Sequence, residues 1–257
     1  MKTALLAAAA ALMTATPAAA ASGGFVGLEY GNSDVEFIGD VEFDVWQGEG
    51  AFGWNSGGRG AQLGGSFGNV EPEGGSDGDV WTVDGHLYWD GGGWRIGGVI
   101  AHTDLDFGGG GSIDETAYGA EAMFNLGPNT NIWVSALASE AEFLADADTW
   151  SLDGGVNFYA SPNFRLGAFI GTGNVDFGGG FDADSFSAGV NAEFQPFSFP
   201  LSFTAGWNHY EVDDAGLESD NLQIGARWNF GGTVQERDAA VPFNGRTNFL
   251  DRLFGVW

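Results

Sequence analysis

The sequence predicts an all-β fold, a closed antiparallel up-and-down β-barrel of about 12 strands that crosses a membrane. Three observations predict it. The chain begins with a short apolar leader, apolar and polar residues alternate along most of its length, and short turns alternate with acidic loops. Barrels of about 10 or about 14 strands remain open as alternatives, because strand ends are poorly marked by the pattern.

The leader is predicted to be a cleaved signal peptide over residues 1–21. It has one cation, Lys2, an apolar run from Ala4 to Met13, a helix breaker at Pro17, and small residues up to Ala21. This arrangement is typical of export signals, and the apolar run is too short to anchor a helix across a bilayer. The barrel is therefore expected over residues 22–230.

Alternation with a period of two predicts the strands. In one clear case Trp150, Leu152, Val156 and Phe158 alternate with small or polar residues. Such segments are about 10 residues long, which suits tilted strands in a bilayer. We predict strands near 24–33, 41–54, 60–70, 80–89, 94–105, 115–126, 131–143, 149–160, 164–176, 185–195, 201–212 and 221–230.

The connections between these segments fall into two classes that alternate along the chain. Five are short and hold almost no acid, such as NSGGRG and GPNTN, whereas six are acidic, such as EPEGGSDGD and EVDDAGLESD. Most of the 35 acidic residues lie in the six acidic loops. A bacterial membrane barrel has short turns on its periplasmic side and longer loops outside. The two ends of the predicted barrel therefore differ strongly in charge.

The phase of the alternation assigns each strand two faces. The apolar face carries aromatic residues near both strand ends and is expected to meet lipid, whereas the small and polar face is expected to line the lumen. Glu42 and Asp44 break this phase, which suggests a bulge in the second strand. The predicted lumen-lining residues are Glu29, Glu49, Asp84, His86, Arg95, Glu121, Asp153, Arg165, Glu193 and Arg227.

An internal repeat has a spacing of 70 residues. GLEYGNSDVEFIG from Gly27, GGVIAHTDLDFGG from Gly97 and GAFIGTGNVDFGG from Gly167 align without gaps. The alignment places Val35, Leu105 and Val175 at equivalent positions, and it divides the barrel into three four-stranded units. Duplication is one explanation, and convergence of similar hairpins is the other.

Residues 231–257 follow the last predicted strand and form a tail. The tail contains Arg237, Arg246 and Arg252, although the whole chain has only eight Lys and Arg residues. Phe249, Leu250, Leu253, Phe254 and Trp257 share one face of a helix, so we predict a short amphipathic helix at the periplasmic mouth. Three roles stay open for the tail: a plug of the pore, contact with the inner leaflet, or disorder.

The stretch QIGARWNF in the last predicted strand carries a family resemblance. Gln223, Gly225, Trp228 and Phe230 follow the pattern polar–x–Gly–x–x–aromatic–x–aromatic. This resembles the sorting signal of Gram-negative outer-membrane β-barrels of the porin type, although here the signal is internal. The resemblance implies outer-membrane location, contact with lipid, lipopolysaccharide and the barrel assembly machinery, and no cofactor. A homo-oligomer remains open.

The same resemblance implies passive diffusion of small hydrophilic solutes. Acidic loops around one mouth further predict weak selectivity for cations. The alternatives are a non-conducting structural or adhesion barrel and, less favoured, a barrel hydrolase built on a histidine such as His86. No histidine has a serine two residues away, so no enzyme is predicted. A net charge of −27 argues against nucleic acid as a partner, and without cysteine there is no thiolate metal site.

Overall fold

A computed structural model describes residues 21–36, 40–75, 77–107, 111–142, 146–177, 182–196, 199–213, 215–243 and 249–254. Residues 1–20, which include most of the predicted signal peptide, lie outside this range. The described chain forms 12 strands and two helices. The strands are β1 Ala21–Glu36, β2 Asp40–Ser56, β3 Arg59–Pro72, β4 Gly78–Asp90, β5 Trp94–Phe107, β6 Gly111–Gly127, β7 Thr130–Glu142, β8 Asp146–Ser161, β9 Phe164–Asp176, β10 Asp182–Phe194, β11 Leu201–Val212 and β12 Leu217–Phe230.

The strands form one closed barrel in which each strand pairs with its neighbours in the sequence. The first and last strands close it, with Gly24 opposite Phe230 and Glu36 opposite Glu218 in an unbroken antiparallel register. Closure leaves no strand edge unpaired, which is the condition for a β structure in lipid. The prediction of a 12-stranded up-and-down barrel is confirmed.

Burial follows the predicted alternation. In β12, Leu222, Ile224 and Trp228 are exposed on the outside, whereas Gln223 and Arg227 are buried inside. In this part of β12 the outer surface is apolar and the interior polar, the reverse of a water-soluble barrel. Because each residue of a barrel strand faces either lipid or lumen, the sequence phase alone fixes the orientation of its side chain.

The strands extend further at the acidic end than the sequence predicts. Several stretches predicted as acidic loops are the outer ends of paired strands, such as Asp34 opposite Glu42. Asp44 pairs with Asn32 in a continuous register, so the predicted bulge at Glu42 and Asp44 is wrong. These carboxylates instead stay in phase on the outward face. They can do so because this part of the strand lies beyond the apolar band.

Two short helices follow the barrel, α1 over Val234–Ala240 and α2 over Phe249–Phe254. Thr233 caps α1: its hydroxyl accepts from the Glu236 amide, and the Glu236 carboxylate accepts from the Thr233 amide. The backbone amide and hydroxyl of Thr233 hold the pKa of Glu236 below its usual value. Among the described residues, neither helix is long and apolar enough to cross a membrane.

Both helices lie inside the barrel. Val234 and Arg237 of α1 and Leu250 of α2 have no exposed surface, and they contact inward-facing residues of the strands. α1 lies at the inner end, where the short turns are. α2 lies at the other end, beside Val70 and Leu105. The predicted position of the amphipathic helix at the periplasmic mouth is therefore wrong, because Phe249, Leu250 and Leu253 pack against apolar clusters at the far end of the lumen.

Candidate functional site

The barrel lumen is the candidate functional site. Among the ten lumen residues predicted from phase, the structure buries Glu29, Glu49, His86, Glu121, Asp153, Arg165, Glu193 and Arg227 inside the barrel. Asp84 and Arg95 also point inward and are partly buried. Of the predicted sorting signal, Gln223 and Gly225 face the lumen, whereas Trp228 and Phe230 lie on the opposite face of β12.

An ion-pair cluster fills the inner end of the lumen. Both terminal nitrogens of the Arg237 guanidinium donate to the carboxylate of Glu193, at 2.5 and 2.7 Å. Arg165 and Arg227 lie 3.4 and 3.5 Å from the same carboxylate. Arg227 also donates to both oxygens of Glu49, at 2.6 and 2.9 Å. Three arginines surround the Glu193 carboxylate, so the cluster holds α1 by charge.

Further contacts tie α1 to the wall. Asp238 accepts from Arg165 and from the Tyr159 hydroxyl, each at 2.9 Å. The guanidinium of Arg237 lies over the Phe25 ring, 5.1 Å from its centroid. The backbone amide of Gln235 donates to the Pro162 carbonyl in the turn between β8 and β9 at 3.0 Å. α1 is thus held on several sides and not merely placed in the opening.

The segment between the helices contacts the middle of the lumen. Gln62 of β3 forms two hydrogen bonds with the backbone of Phe243, at 2.5 and 3.2 Å. The Phe243 ring stacks on His86, with centroids 5.7 Å apart. The two imidazole nitrogens lie 2.6 Å from Glu121 and 3.0 Å from Asp84. Both nitrogens are therefore occupied by carboxylates, and neither is placed to activate a hydroxyl nucleophile.

At the outer end, strand residues bind the start of α2. The carboxylate of Glu115 accepts from the backbone amides of Phe249 and Leu250, at 2.7 and 2.9 Å. A carboxylate at the first amides of a helix satisfies donors that otherwise lack partners. Ser219 of β12 donates to the Leu253 carbonyl at 2.6 Å. Each end of this short helix therefore has a partner on the barrel wall.

Apolar residues close the lumen around α2. Leu250 packs in one cluster with Val45, Val70, Val80 and Leu105. Phe249 and Leu253 also pack against a second cluster on the other side of the barrel, formed by Val35, Val175, Ala183, Tyr210, Val212 and Leu217. The three repeat positions Val35, Leu105 and Val175 come from β1, β5 and β9, which are spaced evenly around the barrel. They surround α2 from three directions.

Two cavities lie along the tail. One of about 90 Å³ is bounded by Asp238 and Phe243 of the tail, Arg252 of α2, and strand residues including Tyr159. The other, of about 190 Å³, lies at the inner end between α1 and the β6–β7 turn. Met123, Tyr159 and Asp238 line both cavities. Both cavities have polar groups in their walls, such as Asp238, with which water can form hydrogen bonds.

The outside of the barrel carries two further features. Exposed aromatic rings border the apolar band at its inner and outer margins, as membrane barrels require; they include Trp54, Trp89, Trp94, Phe158, Phe194 and Trp228 on the inner side and Trp46, Phe67, Tyr118, Trp150, Phe186 and Trp207 on the outer side. Beyond the outer margin, His209, Glu218 and Asp220 form the single group in the described chain that could offer three ligand atoms to a metal ion. Exposed carboxylates of this kind commonly hold no metal.

No protein-family profile and no curated protein matches the sequence. Solved structures do match. The outer-membrane channel of Pseudomonas putida F1 is 13% identical, with 84% of this chain and 97% of that chain covered and a TM-score of 0.59. This chain has the fold of an outer-membrane β-barrel. The translocator domain of the autotransporter NalP from Neisseria meningitidis shares the outer-membrane barrel fold, at 12% identity, 89% and 94% coverage and a TM-score of 0.54.

Sequence reasoning missed several residues of the lumen. Glu115 begins the predicted strand 115–126 but is absent from the predicted lumen residues, yet it is fully buried and binds α2. Gln62, Tyr159 and Asp238 were not singled out. A signal existed for Glu115, because it has the inward phase of Ala117 and Gly119 in β6 and the opposite phase to Tyr118. Asp238 offered none, since nothing in the tail sequence identifies its partner.

Proposed function

We propose that the protein is a porin-type channel of the Gram-negative outer membrane, non-enzymatic, that passes small hydrophilic solutes. The channel and porin structures that share its fold support this location and class. The observation that carries the proposal is the interior itself. In the inner and middle parts of the lumen most inward-facing residues are polar or charged, which a barrel filled only for stability does not need.

In this proposal the tail sets how open the lumen is. Residues 231–243 narrow the inner half, where cavities of about 190 and 90 Å³ lie beside the tail. The apolar contacts of α2 close the outer half. Solute flow then requires α2 to leave its place between the two clusters, so the channel is closed at rest and opens when the tail moves.

We further propose a weak preference for cations. The inward-facing carboxylates of the described strands outnumber the three inward-facing arginines Arg95, Arg165 and Arg227; they are Glu29, Glu49, Asp84, Glu115, Glu121, Asp153 and Glu193. Carboxylates on the outer strand ends add to the negative potential at that mouth. Salt screens this potential over about 8 Å at physiological ionic strength, so the preference is modest.

A second function is favoured by one observation. Leu250 is completely buried among valines and a leucine at the outer end of the lumen, which is an arrangement suited to a permanent seal. A sealed barrel would be a structural or adhesion protein that presents its acidic rim to the surroundings.

Recordings from the purified full chain in planar lipid bilayers separate the two functions. A channel gives discrete conductance steps, and a tenfold KCl gradient gives a reversal potential with the sign of cation preference. Steps with the sign of anion preference would remove the selectivity proposal alone. If neither the full chain nor its Leu250→Asp variant conducts, the sealed structural barrel is the correct reading.

A further inference from the structure

We infer that the chain crosses the membrane a thirteenth time, inside its own barrel, and that α2 ends on the side of the acidic loops. The lumen is then a binding site for a polypeptide segment that carries arginines and an apolar helical face. The segment that fills it is the chain's own tail. This inference rests on the barrel spanning a membrane but not on its conducting.

The path of the tail begins at the inner end. β12 ends at Phe230, opposite Gly24 near the start of β1, and the tail turns into the lumen at Gly231 and Gly232. Both glycines have positive φ angles, 105° and 109°, which other residues rarely adopt. The turn directs Thr233 and α1 into the barrel lumen, away from the membrane surface at the inner end.

The path ends at the outer end. Leu253 packs against both apolar clusters, and its carbonyl accepts from Ser219 near the outer end of β12. Along β3, Val70 of the same cluster is 11 residues from Arg59 at the inner end. That is about 36 Å of strand, or about 28 Å along the barrel axis at the usual tilt. The tail therefore covers most of the barrel height.

Charge complementarity explains why the lumen accepts this segment. Two tail arginines meet carboxylates at different heights, Arg237 at Glu193 and Arg252 at Asp153. Glu115 adds a third contact through the backbone of α2. Each group would be costly to bury alone, but the pairs compensate one another. Three separated contacts fix the height and direction of the tail as well as its presence.

A label placed a few residues after Phe254 reports the side on which α2 ends. In a test chain that ends with a cysteine appended after Trp257, four residues follow Phe254, and they reach at most about 14 Å. That is half of the distance of about 28 Å back to the inner mouth. The chain contains no cysteine, so a cysteine appended after Trp257 is a unique label site at the C-terminal end.

The test is labelling of intact cells with a membrane-impermeant maleimide. Two matched single-cysteine variants calibrate it, Glu73→Cys in the β3–β4 loop and Asn129→Cys in the β6–β7 turn, both exposed in the structure. We expect the appended cysteine to label at least half as strongly as Glu73→Cys and about ten times more than Asn129→Cys. If the appended cysteine labels only as weakly as Asn129→Cys, the inference is overturned.

Trypsin digestion of the unmodified, detergent-folded chain gives a second readout that needs no added residue. Arg237 has no exposed surface and Arg252 is 8% exposed. Cleavage after them should be at least about tenfold slower than in the urea-unfolded chain. Equal rates in the two states would place the tail outside the lumen and overturn the inference, whatever the conductance measurements show.

Discussion

Arg252 in α2 binds both carboxylate oxygens of Asp153 in β8, with each nitrogen–oxygen distance 2.8 Å. Ser151 accepts a further hydrogen bond from the same guanidinium at 2.9 Å. Both partners of the ion pair are almost fully buried. The pair joins residues 99 positions apart, and it joins the tail to the wall of the barrel. A two-point contact of this kind fixes orientation as well as distance.

Removal of either partner should destabilise the folded chain. Asp153→Asn or Arg252→Gln leaves a buried group without its counter-charge, at a cost of about 3 kcal/mol. The double variant should cost less than the sum of the single variants, because neither charge is then left alone. Urea unfolding in lipid vesicles measures the free energy of unfolding of the two single variants and the double variant. Asp148→Asn, at an exposed position of the same strand, is the control and should change little; additive single effects would show that the pair is not coupled.

Leu250→Asp should open the outer end of the lumen. An ionised carboxylate among Val45, Val70, Val80 and Leu105 is strongly unfavourable, so α2 should leave the apolar clusters. We expect larger or more frequent conductance steps in planar bilayers than for the unmodified chain. Leu250→Met keeps the volume and polarity of the site and should preserve the closed state. Equal conductance of the Leu250→Asp and Leu250→Met variants would disprove that α2 seals the lumen.

A chain that ends at Gly232 should still assemble. The 12 strands and the β1–β12 closure are complete before the tail begins. Without the tail the lumen fills with water, which solvates Glu193 and Asp153 in place of the arginines, and conductance should rise well above that of the full chain. Assembly is checked by protection from protease in isolated outer membranes. A truncated chain that degrades in the cell would show that the tail is required during assembly.

A charge on the outward apolar face should destabilise the barrel. Ile100 is 60% exposed in the middle of β5, a position that would tolerate arginine if water surrounded it. In lipid, Ile100→Arg should cost about 2–4 kcal/mol. Ser112→Arg, at the outer end of neighbouring β6, should be nearly neutral because it lies beyond the apolar band. Unfolding titrations in phospholipid vesicles compare the two, and similar costs would contradict the placement of the bilayer.

The capping box of α1 predicts a pH effect. Thr233→Ala should weaken α1 by about 1 kcal/mol and speed tryptic cleavage after Arg237. The folded-state pKa of Glu236 is lowered, so its contribution is present above its ordinary pKa and is lost as the pH falls through the lowered value. Acidification should therefore reproduce part of the Thr233→Ala effect. The readout is hydrogen exchange of the α1 amides, with Glu236→Gln as the variant that should remove the pH dependence.

The barrel could be predicted from the sequence because it is a repetitive structure with one local rule. Alternation identifies the strands, and it gave the correct face for Trp150, Leu152 and Phe158 without any knowledge of their neighbours. The number of strands follows from the count of segments that alternate with a period of two. The strands extend further at the acidic side than predicted, because carboxylates there mark the limit of the lipid and not the start of a loop.

The residues that the tail contacts inside the lumen could not be predicted in the same way. Amphipathicity indicates that Phe249, Leu250 and Leu253 need an apolar partner but does not name it, and the partner is formed by residues from many separate strands. Inward-facing Val35, Leu105 and Val175 were visible as repeat positions. All three are apolar residues at inward-facing positions of their strands. That placement was the available sign that an apolar segment occupies the lumen at that height.

The seam between β1 and β12 has a consequence for how the molecule forms. These two strands are the first and last of the sheet, so their pairing can be completed only after all the others have been synthesised. The segment that ends up enclosed is covalently attached one residue beyond that seam. A barrel without a tail can close as soon as its last strand is available. This barrel must either close around its tail or close first and then take the tail into its lumen. The biogenesis of the protein must therefore include a defined order of barrel closure and tail insertion.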